Sequence, residues 1–359
     1  MFHLQWHITE RCNLCCTHCY KEEKMIKEEI STSQVFEILN KYYEQLEKWK
    51  FDKNSNRISF TGGEPFIRED FWKILDNCYN NREKVSYGIL SNGTLLDEVV
   101  VSKLLDLQVE YVQVSLEGLE EINDQIRGKG SFFKAVRGLK LLVAHNIPCN
   151  ISTTITSKNL KEVPRLIDLA KNIGVKNIGV RRLVPIGAGK KMQELMITPQ
   201  ENQELLRYIL RENKKGGIYI GVGCEEGLFA QGMEYIPKGI CNAGYFSFSV
   251  LPNADVYPCR RLPILCGNLL KNNFEQIMTL SKDLMNLRNF NNINKKCQSC
   301  PFFNECLGGA KCISNAYFND PFAPDPQCLR LFKELPDPSE KFEGSNKKGV
   351  RIFKKNKKL

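Results

Sequence analysis

Short runs of β-branched and aromatic residues alternate with longer helical patterns through the first two-thirds of the chain. We predict strands at Phe2–Thr9, Arg57–Phe60, Val85–Leu90, Tyr111–Ser115, Pro148–Ile155 and Val175–Leu183. We predict helices at Ser33–Trp49, Asp70–Tyr79, Asp97–Leu105, Phe132–His145, Leu160–Asn172 and Pro199–Arg211. Strands separated by helices of this length form βαβ units and a parallel sheet. The expected fold class is α/β, a partial (β/α)6 barrel with catalytic groups at the carboxyl ends of its strands.

The texture of the sequence changes near Gly216, where glycine, proline, asparagine and cysteine become frequent and regular periodicity fades. Residues 216–335 predict a loop-rich, cysteine-rich domain with too little apolar material to hold itself together, so that metal clusters would stabilise it. The expected organisation is a first domain over residues 1–215, this second domain, and a flexible basic tail over residues 336–359.

Composition and charge narrow the class of protein. A hydrophobic share of 42% and a charged share of 26% are typical of a folded chain with a core. There is no run of ~18 apolar residues, and the first ten residues lack the features of a signal peptide, so we expect a cytoplasmic protein without a membrane span. Much of the net charge of +10 lies in the segment from Lys341 to Leu359. A solvated tail explains this charge better than contact with nucleic acid or an acidic peptide.

The fifteen cysteines are clustered, with four in residues 12–19 and eight between Cys241 and Cys328. Only Cys78, Cys149 and Cys224 stand apart. Thiols of intracellular proteins stay reduced, so clustered cysteines in such a chain indicate metal binding or catalysis.

The first cysteine group follows the first predicted strand directly. Cys12, Cys16 and Cys19 are separated by three and then two residues. Three thiolates on one short loop can hold three corners of an iron–sulfur cubane and leave its fourth iron open to a small ligand. The alternative is a zinc site with His18 as fourth ligand, although adjacent residues rarely converge on one ion. Cys15 breaks the spacing, and we interpret it as a spare thiol.

This spacing, with Arg11 before it and the aromatic Tyr20 after it, resembles the signature of the radical SAM superfamily. The resemblance implies a [4Fe-4S] cluster with an open iron that is chelated by the amino and carboxylate groups of S-adenosylmethionine (SAM). An electron from a low-potential donor such as ferredoxin or flavodoxin would then cleave SAM to methionine and a 5′-deoxyadenosyl radical. That radical would take a hydrogen atom from the substrate, while the protein orients the groups and excludes water.

Motifs at the ends of the later strands fit the same resemblance. They would form the SAM pocket: Gly62, Gly63 and Glu64 at the methionine amino group, Ser91 and Asn92 at the methionine and ribose, Ser115 and Glu117 at the ribose, Arg127 at the carboxylate, and Leu183 at the adenine. Many relatives carry aspartate where Glu117 stands. The alternatives are a simple turn, helix caps and a surface arginine. We expect the segment containing Arg127 to precede a helix.

The second cysteine group resembles the SPASM extension of radical SAM enzymes, which holds up to two auxiliary [4Fe-4S] clusters. By this resemblance, a distal cluster would be held by Cys297, Cys300, Cys306 and Cys328. A nearer cluster would be held by Cys241, Cys259 and Cys312, with Cys224, Cys266 or an open position as its fourth site. Ala254 stands where relatives usually have glycine, and Ala310 occupies the position at which a cysteine is usual. Two zinc sites are the alternative.

Three functions follow from this pattern. The first is modification of a ribosomally made peptide or a protein side chain, as most SPASM relatives perform. The first strand begins at Phe2, so we expect no fused leader-recognition domain and a separate recognition protein, or recognition by the barrel itself. The second is cofactor biosynthesis on a small molecule, such as a tetrapyrrole or a metal-cofactor precursor. The third is a zinc-binding interaction module. No residue stands out as a catalytic acid or base.

Overall fold

The computed structural model describes residues 2–21, 28–50, 56–222, 241–245 and 247–342 of the chain. Cys224 and all but the first two residues of the segment from Lys341 to Leu359 lie outside these ranges. The strands are β1 Phe2–Thr9, β2 Asn56–Gly62, β3 Ser86–Ser91, β4 Tyr111–Ser115, β5 Cys149–Ile155, β6 Asn177–Arg182, β7 Tyr219–Gly221, β8 Ser247–Val250, β9 Asp255–Tyr257 and β10 Gly267–Asn268.

The longer helices lie between the first seven strands, and shorter ones follow β10. They are α1 Thr32–Trp49, α2 Phe71–Asn80, α3 Glu98–Asp106, α4 Glu120–Arg127, α5 Ser131–Ala144, α6 Val163–Ile173, α7 Pro199–Lys215, α8 Phe274–Leu280, α9 Lys282–Arg288, α10 Lys295–Gln298, α11 Phe303–Cys306 and α12 Lys311–Phe318. Among the described residues, none of the helices has the length and apolar character needed to cross a membrane.

One sheet runs through the described molecule in the order β10-β9-β8-β1-β2-β3-β4-β5-β6-β7. All neighbours from β8 to β7 are parallel, while β9 and β10 are antiparallel additions at one edge. The predicted α/β class and its six strands are confirmed, and β1 and β4 have the predicted bounds. The sheet is open rather than closed into a full barrel, and β7 and β10 are its edge strands.

The two faces of the sheet differ in chemistry. In β1, Leu4, Trp6 and Ile8 are buried on the side where the helices pack, and the Trp6 ring lies 6.3 Å from that of Phe60. His3, Gln5 and His7 alternate with them and face the inner side, where β4, β5 and β6 also carry mainly polar residues. The apolar face makes the core, and the polar face is free to line a site.

The part of the chain after residue 215 contains more structure than its composition predicted. β7 extends the sheet beyond β6, and β8 pairs with β1 on the other side. These strands are only three and four residues long, too short for a periodic pattern. The division of the chain at residue 215 stays a prediction, and the sheet spans that position.

Candidate active site

The cysteine loop begins where β1 ends, and three of its thiols share one environment. Cys12, Cys16 and Cys19 lie within electrostatic reach of one another. Burial raises the pKa of Cys12, and it raises the pKa of Cys16 to about 11, with the neighbouring thiols adding to the effect. Cys15 is exposed. Three partly buried thiols on one loop fit a cluster that they would bind as thiolates, and the exposed Cys15 differs from them.

The Gly62-Gly63 turn packs directly against this loop. The backbone N–H of Gly63 donates to the Thr9 carbonyl at 2.8 Å, and that of Glu64 donates to the Arg11 carbonyl at 2.8 Å. A Cβ atom on Gly63 would lie 1.9 Å from the Arg11 oxygen. Glycine is therefore required here by close backbone approach, and the contact fixes the start of the cysteine loop.

Glu64 is completely buried at the centre of the strand ends. Its carboxylate accepts hydrogen bonds from the Ser91 hydroxyl at 2.9 Å and the Asn92 backbone N–H at 2.8 Å. Burial raises its pKa to about 7, even though these donors favour the charged form. Such a carboxyl group is poised to pair with a cationic or amine ligand.

Asn92 connects the third strand end to the cysteine loop. Its amide nitrogen lies 3.9 Å from the Cys12 sulfur and donates to the Asn13 side chain at 2.8 Å. Its amide oxygen accepts from the Thr94 backbone and hydroxyl. The predicted residues from β1, β2 and β3 are thus brought together in one place.

Glu117 and Arg127 are joined in a buried network. The Glu117 carboxylate accepts from the Arg127 guanidinium, from His18 Nε2 at 2.9 Å and from the Thr154 backbone at 2.6 Å. Burial opposes ionisation, but Arg127 and His18 hold the pKa of Glu117 at about 2. Arg127 Nη1 lies 3.8 Å from the Cys16 sulfur. The Glu117 carboxylate thus holds Arg127 beside the cysteine loop.

Sequence reasoning weighed His18 only as a zinc ligand, and the structure gives it the role of a partner for Glu117. It also placed Arg127 ahead of a helix without predicting α4, which ends at Arg127 and precedes α5. The contacts of Glu117 with ribose and of Arg127 with the SAM carboxylate stay predictions.

The remaining predicted pocket residues lie at or near the ends of the strands or on the cysteine loop. Ser115 is partly buried at the end of β4, and Leu183 is buried just after β6. The chain after Leu183 runs along the cysteine loop, where the Gly189 N–H donates to the Cys19 carbonyl at 3.1 Å. The Tyr20 hydroxyl lies 3.5 Å from the Gly62 carbonyl oxygen. All six strand ends of the predicted barrel therefore contribute to one region.

The four cysteines of the predicted distal site line one pocket together with Asp325, and they are Cys297, Cys300, Cys306 and Cys328. Burial raises the pKa of Cys306 to about 12, with Cys328 and Asp325 adding to the effect. Four thiols lining one pocket suit a closed cluster site.

The nearer set is less fully defined. Cys241 and Cys312 are buried, and Cys259 is partly buried. Cys266 is buried with its thiol 3.5 Å from the Ile264 carbonyl, and burial raises its pKa to about 12. Ala310 is the N-cap residue of α12, and Cys312 lies in the first turn of that helix. The grouping of these cysteines around a nearer cluster stays a prediction.

A buried ion pair connects the two halves of the chain. Arg182, the last residue of β6, bonds both oxygens of Asp325 at 2.8 Å each, and both side chains are 1% exposed. Arg182 also donates to Gln327, and Asp325 accepts the Ala310 N–H at 3.0 Å. We refer to Arg182, Asp325 and Gln327 as the β6 latch. Asp325 and Gln327 lie just before Cys328, and no sequence motif predicted their contact with Arg182.

Comparison with known proteins agrees with this geometry. The profile of the radical SAM superfamily matches residues 6–170, and that of the SPASM iron–sulfur cluster-binding domain matches residues 241–301. Mycofactocin maturase MftC of Mycolicibacterium smegmatis is 30% identical over 339 residues, which are 91% of this chain and 82% of that protein. The chain belongs to the radical SAM superfamily. It carries a SPASM domain, and it is a SAM-dependent iron–sulfur enzyme.

Other radical SAM enzymes resemble the whole chain as well. The AdoMet-dependent heme synthase of Methanosarcina barkeri is 26% identical over 349 residues, covering 91% of this chain and 95% of that protein. Streptococcus suis SuiB, solved with SAM bound, shares the fold with a TM-score of 0.73 at 18% identity, covering 91% of this chain and 77% of SuiB. SuiB has also been solved with its precursor peptide SuiA, at a TM-score of 0.73, 17% identity and coverage of 91% and 75%.

Membership settles the cofactor class that the thiols alone left open. The radical SAM and SPASM domains bind [4Fe-4S] clusters, and the enzyme uses SAM. The partly buried thiols of the cysteine loop and the donors beside Cys12 and Cys16 suit such a cluster. The hypothesis of a zinc-binding interaction module is thereby replaced.

Proposed function

We propose that this radical SAM enzyme matures a ribosomally synthesised peptide or a protein side chain by abstracting a hydrogen atom, which leads to a cross-link, an epimerisation or an oxidation. The observation that carries the proposal is the 30% identity to a maturase over 91% of the chain. The fold of a peptide-binding relative, SuiB, adds support at the level of architecture.

The residues take their roles from their positions. Cys12, Cys16 and Cys19 would hold the cluster with the open iron, and Glu64 would accept the amino group of SAM. Asn92 and Arg127 would orient the ligand beside the same loop, since each lies within 4 Å of a cysteine sulfur. When bound, the cluster and SAM supply reductive cleavage of the sulfonium bond and with it a carbon radical that can remove hydrogen from substrate.

The second domain would hold one or two auxiliary clusters. Cys297, Cys300, Cys306 and Cys328 line one pocket and would form the closed distal site. Electrons for the reaction would come from a low-potential protein donor, and a separate protein could present the peptide leader. We also propose that the enzyme works in the cytoplasm, where its thiols stay reduced.

A second candidate is tetrapyrrole chemistry. The heme synthase relative is 26% identical and is covered over 95% of its length, so its similarity also extends to both domains. The polar inner face of the sheet suits a substrate with several charged or polar groups, which both candidates have.

The test is product analysis with the reconstituted enzyme under anaerobic conditions. Peptides encoded beside the gene and Fe-coproporphyrin III are each incubated with the enzyme, SAM and dithionite, and the products are analysed by mass spectrometry. A mass change in a peptide, with 5′-deoxyadenosine formed in proportion, supports the proposal. A change in the tetrapyrrole alone would overturn it in favour of the second candidate. The matched control is Cys16→Ala, which should form no product.

A further inference from the structure

A second polar group lies beside the cysteine loop, on the inner face of β1. It consists of His7, Glu10, Tyr20, Lys21 and Arg260, and we name it the His7–Arg260 cluster. Tyr20 directly follows Cys19, and Arg260 directly follows Cys259, a proposed ligand of the nearer auxiliary cluster. The His7–Arg260 cluster therefore lies between the two cysteine groups. None of the roles assigned above uses His7, Lys21 or Arg260.

The aromatic ring of Tyr20 lies at the centre of the His7–Arg260 cluster. The Arg260 guanidinium lies 5.2 Å from the ring centroid, and the His7 ring meets it edge-on at 5.8 Å between centroids. Arg260 also bonds Glu10 at 3.2 Å, and the Lys21 ammonium lies 3.9 Å from the second Glu10 oxygen. Packing on Tyr20 fixes the guanidinium, so its direction is set before any ligand arrives.

The His7–Arg260 cluster has more positive than negative charge, and some of its hydrogen-bonding atoms have no partner within it. Two cations, Lys21 and Arg260, share one carboxylate, and the Lys21 ammonium also donates to the backbone carbonyl of Glu10. His7 is 0% exposed, and neither of its ring nitrogens has a partner among the residues that the structure describes. Arg260 Nε also has none within those residues. Burying unpaired donors beside excess positive charge costs stability, unless a ligand completes the group.

Among the residues that the structure describes, the other neighbouring carboxylates do not supply the missing charge. Glu29 pairs with Arg11 at 3.5 Å, and Glu64 is bonded by Ser91 and Asn92. Burial and the nearby cations Arg260 and Lys21 lower the pKa of His7 well below its usual value, so the imidazole is neutral and offers one N–H donor. A guanidinium, an ammonium and a neutral imidazole together match a carboxylate.

We propose that the His7–Arg260 cluster binds a carboxylate of the substrate and holds it between the SAM site and the nearer auxiliary cluster. The inference rests on the proposed function in one respect only, which is that the enzyme acts on a substrate besides SAM. The carboxylate has two possible sources, a peptide terminus or a tetrapyrrole propionate. SAM carries a carboxylate too, but the candidate for that group is Arg127, whose Nη1 points at Cys16.

Binding to the reconstituted holoenzyme, saturated with SAM and without reductant, tests the site. The peptide probes are a pool of short peptides lacking Asp and Glu, with free C-termini or with C-terminal amides. The tetrapyrrole probes are coproporphyrin III and its tetramethyl ester. We expect one acid form to bind and its amide or ester to bind at least about tenfold more weakly, and the acid that binds identifies the source. Equal binding of both forms, or no binding of either acid, would overturn the proposal.

Three variants separate recognition from a structural role. Arg260→Gln should weaken binding of the acid by about 10- to 100-fold. Glu10→Gln removes the competing carboxylate and should strengthen binding of the acid. If the two residues had only a structural role, both variants would bind the acid more weakly. Arg57→Gln is the matched control, because Arg57 pairs with Glu110 at the opposite strand ends, and it should bind as wild type does.

SAM affinity and reductive SAM cleavage are measured on the same samples. An Arg260→Gln variant that binds the acid normally, or that loses SAM affinity by the same factor, would show that the cluster does not recognise substrate. If cleavage of SAM fails in wild type, the proposed function fails. Normal cleavage with no discrimination between acid and amide or ester overturns the carboxylate site alone.

Discussion

Glu64 is a single residue whose ionisation should control SAM binding. Its pKa of about 7 comes from burial, and the carboxylate is the form that accepts an amino group. Below pH 7 the group must lose its proton before SAM binds, so SAM affinity should rise by up to about tenfold per pH unit and level off above pH 7. Calorimetry across pH 5.5–8.5 measures this profile. Glu64→Gln should bind weakly with a flat profile, and an unchanged slope in that variant would contradict the assignment.

The two neighbouring thiols of the cysteine loop should differ completely on substitution. Cys16 is partly buried among Cys12, Cys19 and Arg127, whereas Cys15 is exposed. Cys15→Ala should retain the iron content and SAM cleavage of wild type. Cys16→Ala should lose about four iron atoms per chain and all cleavage, as measured by iron assay and electron paramagnetic resonance. Equal losses in both variants would contradict this choice of ligands.

Ala254 has a backbone conformation that favours glycine. Its φ of 67° is in the left-handed region, which costs an L-residue about 1–2 kcal/mol. Its buried methyl group returns about 0.8 kcal/mol, and alanine loses less chain entropy than glycine by about 0.5–1 kcal/mol. Ala254→Gly should therefore change the stability by less than about 0.5 kcal/mol, whereas Ala254→Val should lose about 2–4 kcal/mol. Thermal unfolding of both variants checks the balance, and a strongly stabilised glycine variant would contradict it.

At the scale of elements, the β6 latch should couple the barrel to the distal cysteine loop. Asp325→Asn leaves the buried Arg182 guanidinium without its counter-charge and should cost about 3–5 kcal/mol of unfolding free energy. It should also release iron faster from the distal site, because Asp325 lines that pocket. Arg57→Gln, which breaks an exposed ion pair, should cost less than about 1 kcal/mol. Equal costs for the two variants would mean that the latch is not structural.

The elements that the sequence predicted are those long enough to carry a recognisable periodic pattern of apolar residues. β1 to β6 and most of the helices between them carry alternating or helical apolar patterns. α4 escaped because its eight residues are mostly polar and its two buried side chains, Asn123 and Ile126, give no apolar stripe. β8 forms because β1 offers an edge to pair with, and β9 pairs in turn with β8. Such tertiary pairing leaves no periodic pattern in a segment of three or four residues.

At the scale of the molecule, the sequence motifs identified the cofactors. The contacts between distant segments became visible only in the structure. Cys12, Cys16 and Cys19 are specified by spacing within one loop. The contacts of Glu117 with His18 and Arg127 join three separate segments, and the approach of Arg260 to Tyr20 joins two. Those contacts depend on how the sheet brings distant residues together, so no local pattern predicts them.

The central claim is that the cysteine loop after β1 supports reductive cleavage of SAM. The most direct measurement is 5′-deoxyadenosine formed by the anaerobically reconstituted enzyme with SAM and dithionite. Wild type should form it, and Cys16→Ala should form none while retaining the iron bound by the second domain. A fully reconstituted wild type that forms no 5′-deoxyadenosine, or a Cys16→Ala variant that forms as much as wild type, would contradict the account.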